Sequence, residues 1–97
     1  MMATLRIEHP IRDFDAWKAA FDRDPAGRQR SGVRRYRVCR PVDDPRYVMI
    51  DLDFDSAGEA EAFLAAMREV WRSPQAAPAL IGSPQARIVE AVESKEY

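Results

Sequence analysis

The sequence contains few of the residues from which catalytic and metal sites are usually built. It has one cysteine, Cys39, one histidine, His9, and no asparagine among 97 residues. A single cysteine excludes an internal disulfide, which agrees with a reducing compartment. One histidine and one cysteine on separate strands have no zinc-ligand spacing, so we expect no metal site. Nothing in the sequence indicates a bound cofactor.

The sequence also has no long apolar segment and no excess of either charge. No stretch approaches the roughly 20 apolar residues of a membrane span, and residues 1–10 lack the apolar core of a signal peptide. The net charge of -1 gives no general attraction to nucleic acid or anionic membranes. We therefore expect a cytoplasmic protein without membrane or nucleic-acid partners. Its length predicts a single domain over residues 1–97.

Apolar periodicity predicts a strand and a helix in the first quarter of the chain. Residues 3–9 alternate apolar and polar side chains, as a strand with one buried face does, and Pro10 ends that strand. Residues 13–23 place three aromatic side chains on one helical face. Asp13 suits the N-cap of this helix.

A second helix and a last strand complete the prediction. Ser56 followed by Glu59 is a capping box, and an apolar stripe at helical spacing continues from it until Pro74. Residues 76–80 predict a short helical turn inside a long connection. Residues 85–93 predict the final strand.

A hairpin over residues 33–54 lies between the two helices, and its register can be read from its side chains. In one pairing every opposed pair is apolar with apolar or cation with anion, and a slip of one residue destroys the match. The opposed pairs are Val38–Ile50, Tyr36–Leu52, Arg35–Asp53, Arg37–Asp51 and Cys39–Met49. The hairpin thus has one apolar face, which requires cover by helices, and one charged face.

The predicted order of elements is strand, helix, strand, strand, helix, strand. This is the ferredoxin-like βαββαβ arrangement, an α+β fold with a four-stranded antiparallel sheet. Right-handed crossovers place both helices on one face of that sheet.

With this order, the segments HPIRDFDAWKAAF and DDPRYVMIDLDFDSAGEAEAFL resemble the small proteins of the dimeric α+β barrel superfamily. That superfamily includes antibiotic-biosynthesis-monooxygenase-like and polyketide-cyclase-like domains. The resemblance implies a homodimer in which two sheets pack face to face through their open faces. It also implies a small hydrophobic or aromatic ligand between each sheet and its own helices. The chain lacks the Asn, Trp and His set of haem-degrading members, so haem degradation is not expected.

His9 ends the first predicted strand on the face that also carries Leu5 and Ile7. It is the candidate catalytic residue, because histidine exchanges protons near neutral pH and this position reaches the mouth of the cleft between helices and sheet. The alternative is a structural histidine that is hydrogen-bonded to a nearby loop or helix end.

Three aromatic residues are the candidate ligand-binding residues: Trp17, Tyr36 and Trp71. All three should approach the apolar face of the sheet, where they could form a cleft for a flat ligand. The alternative is an ordinary core, which is the usual role of aromatic side chains at helical spacing.

The arginine-rich stretch over residues 28–46 raises a nucleic-acid alternative, because RNA recognition motifs share this strand order. That function requires aromatic side chains on the open sheet face. The first strand presents no aromatic side chain there. The third presents Tyr47 beside Asp51 and Asp53, two carboxylates that would repel phosphates. The same two aspartates oppose arginines, which predicts ion pairs rather than a catalytic carboxylate pair.

The sequence therefore leaves two functional hypotheses. The first is binding of a small aromatic or polyketide-like molecule, with cofactor-free oxygenation or cyclisation as its chemistry. The second is a non-catalytic dimeric module for regulation or assembly. An enzyme should have an open cleft that reaches His9, whereas a module should have buried tryptophans and no cavity. Whether any reaction occurs is left open.

Overall fold

Within residues 2–74 and 81–97, which the computed structural model describes, four strands and two helices follow the predicted βαββαβ order. The elements are β1 (Ala3–Pro10), α1 (Phe14–Asp22), β2 (Arg35–Cys39), β3 (Tyr47–Phe54), α2 (Ala57–Arg72) and β4 (Gln85–Val89). The predicted helical turn at residues 76–80 lies outside the described residues. The α+β ferredoxin-like class is confirmed. Neither described helix is long and apolar enough to cross a membrane.

The strands form one antiparallel sheet in the order β2-β3-β1-β4. The hairpin between β2 and β3 has the predicted register at every position, from Arg35 opposite Asp53 to Cys39 opposite Met49. Since side chains alternate between faces along a strand, this register fixes which residues meet the helices.

Both helices pack on the same face of the sheet, and the hydrophobic core lies between them and that face. Inward residues of β1 and β3 are buried together with side chains of α1 and α2. The core residues on these four elements are Leu5, Ile7, Trp17, Val48, Ile50, Leu52, Phe54, Ala60, Phe63 and Leu64. Burial of an aliphatic or aromatic side chain contributes about 1.5–3 kcal/mol, so this face stabilises the fold.

The helices begin where the sequence predicts. The Asp13 side chain accepts a hydrogen bond from the Ala16 amide at 2.8 Å, and the Ser56 hydroxyl accepts one from the Glu59 amide at 3.2 Å. Each cap satisfies a backbone donor that has no partner within its helix.

Two strand ends differ from prediction. β1 includes Pro10, which pairs with Tyr47 of β3. The ladder between β1 and β4 reaches only to Glu8, so one side of Pro10 is a free edge, where proline is tolerated. The predicted extension of the last strand to Glu93 is wrong. β4 ends at Val89 because Val89 already pairs with Thr4, one residue from the start of β1.

The outer face of the sheet is polar, but one of its ion pairs differs from the predicted arrangement. Arg37 lies opposite Asp51 in the ladder, yet Asp51 accepts its hydrogen bond from Arg6 of β1, at 2.9 Å from Nε. Asp53 accepts from Arg35 at 2.8 Å, as the register suggests, and also from the Thr4 hydroxyl at 2.6 Å. The central position of β3 explains this, because it offers each aspartate a partner on both sides.

Candidate functional site

A cavity lies between the inner face of the sheet and the two helices. Its volume is about 80 Å³, and its walls are mostly apolar and aromatic. The residues that line it are Ile7, His9, Trp17, Ala20, Phe21, Asp24, Pro25, Ala26, Arg28, Ile50, Leu52, Phe63, Met67, Val70 and Trp71. Apolar cavities with a few polar groups on their walls are typical of small-molecule sites.

His9 is a polar residue on the wall of this cavity, and only 2% of it is exposed. Nδ1 lies 3.0 Å from the Pro10 carbonyl oxygen. Since a carbonyl oxygen can only accept, Nδ1 carries the proton in this pair and Nε2 carries the lone pair. Among the hydrogen bonds of the described residues, none involves Nε2.

The environment of His9 favours the neutral form of its imidazole. Burial lowers the pKa of His9, because removal from water disfavours the charged ring, and the hydrogen bond to Pro10 opposes that shift only in part. A neutral imidazole with its lone pair on Nε2 is a proton acceptor. The arrangement can therefore take a proton from a molecule in the cavity.

One wall of the cavity is an aromatic row on α1. The His9 ring meets Trp17 edge-on, with centroids 6.2 Å apart, and Trp17 stacks on Phe21 at 5.0 Å. Both aromatic side chains face the sheet because they are four residues apart on one helix. Because Trp17 and Phe21 stack on each other, the row gives the cavity an apolar aromatic wall that extends away from His9.

Asp24 and Arg28 also line the cavity, and no sequence pattern predicts them as site residues. Asp24 follows α1 with a positive φ of 52°, and the Gly27 amide donates to its carbonyl oxygen at 3.1 Å, so the chain turns there. Its carboxylate accepts from the Arg28 amide at 2.8 Å. The Arg28 guanidinium then lies 3.9 Å above the Phe21 ring. The sequence shows only a run of basic residues here, because the contact depends on how the loop folds back over the helix.

The structure places two of the three predicted ligand-binding residues on the cavity. Trp17 and Trp71 line it together with His9, Trp17 buried and Trp71 half-buried. Tyr36 does not line the cavity. The Tyr36 ring packs edge-on against Phe21, with ring centroids 5.1 Å apart, and 46% of the residue is exposed. The binding roles of these residues remain predictions.

The site has features of both hypotheses. A cavity reaches His9, as expected for an enzyme, whereas Trp17 is buried, as expected for a module. In residues 2–74 and 81–97 no group of three or more His, Cys, Asp or Glu side chains could hold a metal ion. Cys39 is exposed, outside the cavity.

Several solved structures have a similar fold, although no family model and no curated protein matches the sequence. A mutant of SnoaB, a cofactor-independent oxygenase from Streptomyces nogalater, has a TM-score of 0.75 at 13% identity, with 96% of this chain and 95% of SnoaB covered. A monooxygenase from the gene ActVA-Orf6 of Streptomyces coelicolor, in complex with nanaomycin D, has a TM-score of 0.68 at 14% identity. The match covers 98% of this chain and 91% of the monooxygenase.

A third similar structure is Rv0793 from Mycobacterium tuberculosis, with a TM-score of 0.71 at 11% identity. The match covers 99% of this chain and 100% of Rv0793. At such low identity the similarity concerns the fold. The predicted likeness to antibiotic-biosynthesis-monooxygenase-like domains is therefore confirmed at the level of the fold.

Proposed function

We propose that the cavity binds a small aromatic, polyketide-like molecule and that the protein oxygenates it without a cofactor, with His9 as the base. The observation that carries this proposal is the buried His9 imidazole on a mostly apolar cavity wall, with Nδ1 held by the Pro10 carbonyl oxygen and Nε2 unbonded within the described residues. The fold shared with SnoaB, a cofactor-independent oxygenase, supports the same reaction class.

The reaction converts an activated CH₂ group and O₂ into a carbonyl and water. His9 Nε2 takes one proton from the carbon, and the carbanion that remains forms a C–O bond with O₂. The imidazolium returns its proton to the outer oxygen, which gives a hydroperoxide. Nε2 then takes the second proton from the carbon, the C=O bond forms as the O–O bond breaks, and the departing hydroxide leaves as water with that proton. General base catalysis of this kind contributes about 10² to 10⁴-fold.

The size of the cavity sets a condition on binding. A volume of about 80 Å³ is smaller than the roughly 150 Å³ of an engineered cavity that binds benzene. The walls must therefore move apart when an aromatic ligand enters. Met67 and Trp71 of α2 are partly buried side chains on these walls that can yield, and methionine adapts to irregular shapes with little strain.

Turnover of 9-anthrone under ¹⁸O₂ tests the oxygenase proposal, because its CH₂ group lies between two rings and is activated by a carbonyl. The wild-type protein should incorporate one ¹⁸O atom into anthraquinone faster than the uncatalysed reaction. His9→Asn removes the base but keeps an N–H donor near the position of Nδ1, and it should lower kcat about 10² to 10⁴-fold. Undiminished turnover in His9→Asn would show that the histidine is structural.

The alternative function, a non-catalytic dimeric module for regulation or assembly, has support in the burial of Trp17 and in the small cavity. The same experiment separates the two functions. A module shows no acceleration of ¹⁸O incorporation over the uncatalysed reaction, whereas an oxygenase does.

We also propose that the chain forms a homodimer through the outer face of the sheet. Met49 is 38% exposed there, and Cys39 is exposed beside it. The Tyr47 hydroxyl on the same face donates to Glu8 at 2.7 Å, which is the main reason that the pKa of Tyr47 is raised. A second sheet packed against this face would remove the apolar groups from water while the polar groups keep their partners.

A further inference from the structure

Arg28 borders both the cavity and a groove on the surface. Arg28 and Asp24 line both spaces. The groove has a volume of about 530 Å³ and continues along Arg34 and Tyr36. The Arg28 side chain is therefore placed to contact a ligand in either space.

The Arg28 side chain is anchored in this position by several contacts. Nη1 donates to the Phe21 carbonyl oxygen at 2.8 Å, and the guanidinium carbon lies 3.9 Å from the Phe21 ring centroid and 5.1 Å from that of Tyr36. Only 15% of the side chain is exposed. The guanidinium is therefore held in one orientation and is largely removed from water.

The anchored guanidinium retains hydrogen-bonding capacity. Among the described residues, the Phe21 carbonyl is the one acceptor that its N–H groups reach within hydrogen-bonding distance. Asp24 forms an ion pair with Arg28, but its Oδ1 lies 3.7 Å from Nε, beyond hydrogen-bonding distance. The same oxygen already accepts a hydrogen bond from the Arg28 amide. A guanidinium offers several N–H donors in a planar fork that suits a carboxylate. The remaining donors have room for an anionic oxygen.

Arg28 and His9 lie at opposite ends of one aromatic wall. The successive contacts are His9 to Trp17, Trp17 to Phe21 and Phe21 to Arg28, at 6.2, 5.0 and 3.9 Å. Two aromatic side chains thus separate the proton acceptor from the cation. A ligand with fused rings extends further along this wall from Arg28 towards His9 than a single ring does.

We propose that Arg28 determines specificity by binding the anionic oxygen of an aromatic acid, whose fused rings lie along Trp17 and Phe21 towards His9. This inference rests on the proposed function in one respect, since it takes the cavity to be the ligand site. The substrate class is then an aromatic compound with an ionised carboxyl or phenol group remote from the carbon that loses its proton.

Calorimetric titration with 2-naphthoate and with its neutral isostere 2-naphthamide tests the proposal. The wild-type protein should bind the carboxylate about tenfold or more tightly than the amide, as a charge-assisted hydrogen bond predicts. Arg28→Gln should remove that preference and leave the affinity for 2-naphthamide within about twofold. Arg34→Gln is the matched control, because Arg34 lines the groove but not the cavity and pairs with Asp55. It should keep the preference.

Each other outcome has a defined meaning. Equal binding of the two probes to the wild-type protein overturns the role of Arg28 while leaving the aromatic site intact. A preference that persists in Arg28→Gln overturns it as well. Failure of both probes to bind overturns the proposed function and this inference with it. If Arg28→Gln does not fold, the Nε–H resonance of Arg28 in the wild-type protein decides: it should shift with 2-naphthoate and not with 2-naphthamide, and the absence of this difference overturns the proposal.

Discussion

The two faces of the sheet are built from alternate residues of the same strands, yet they stabilise the protein in different ways. On the inner face, Leu5, Ile50 and Leu52 are nearly fully buried. On the outer face, Arg6 and Asp51 form an ion pair whose side chains are 50% and 33% exposed. Exposed ion pairs contribute about 0–1 kcal/mol, whereas each buried side chain contributes about 1.5–3 kcal/mol. The inner face therefore provides stability, and the outer face provides register.

The comparison also explains where chemistry can occur. His9 is the buried polar residue of the inner face, and its burial shifts its pKa. The carboxylates of the outer face are partnered by arginines and hydroxyl groups in a solvated setting. A site that depends on a perturbed proton affinity is thus expected on the inner face.

The largest expected effect comes from two neighbouring residues of β3 that point to opposite faces. Leu52→Ala should lower the free energy of unfolding by about 2–5 kcal/mol, because it leaves a cavity in the core. Asp53→Ala removes the acceptor of Thr4 and Arg35, and should cost about 1 kcal/mol. Urea denaturation monitored by circular dichroism measures both. Equal costs would break the distinction between the two faces.

The next effect concerns the proposed dimer. Sedimentation equilibrium should report a dimer at micromolar concentration, and Met49→Arg should shift it towards monomer, because a charge on the outer face opposes sheet-to-sheet packing. Val42→Arg is the matched control, since Val42 is fully exposed in the turn of the hairpin. A wild-type protein that sediments as a monomer would contradict the proposal.

A smaller effect is expected in the dependence of stability on pH. The pKa of His9 is lower in the folded protein than in the unfolded chain, so the unfolded chain binds more protons between that lowered value and about 6.5. Stability should therefore fall as the pH falls through this window. His9→Asn should remove this part of the slope, measured as the difference in unfolding free energy between the two proteins at each pH. Parallel curves would show that burial does not perturb His9.

The smallest expected effect distinguishes Arg6 from Arg37 as the ion-pair partner of Asp51. A double-mutant cycle on Arg6 and Asp51 should give a coupling of a few tenths of a kcal/mol, as exposed pairs do. The corresponding cycle on Arg37 and Asp51 should give less, because Arg37 faces Asp51 in the ladder without an ion pair within the described residues. A stronger coupling for Arg37 would reverse the assignment.

The sequence predicts the hairpin register completely, because every opposed pair between β2 and β3 is matched in polarity or charge. It does not predict the partner of Asp51, because a central strand has two neighbours and the sequence reveals the register with only one of them. The sequence also does not predict where β4 ends. The strand ends because β1 offers no further partner, and the composition of residues 90–93 does not reveal that limit.

The candidate site is predictable only in part. His9 and Trp17 follow from strand and helix periodicity, which places both on the core side. Arg28 does not, because its role arises from a turn at Asp24 that brings a loop residue over Phe21. The register places Tyr36 on the inner face of the sheet, as predicted, but its ring packs against Phe21 and does not line the cavity. Periodicity thus identifies the face of an element, whereas tertiary packing decides which residues of that face meet.

The most direct test of the central claim uses the single histidine of the chain as an NMR probe. The Cε1–H resonance of His9 should titrate with a pKa below the ordinary value of about 6.5, and it should shift when 2-naphthamide fills the cavity. A ring that titrates at or above that value, and whose resonance does not respond to the ligand, would contradict the assignment of His9 as a neutral base in a ligand-binding cavity.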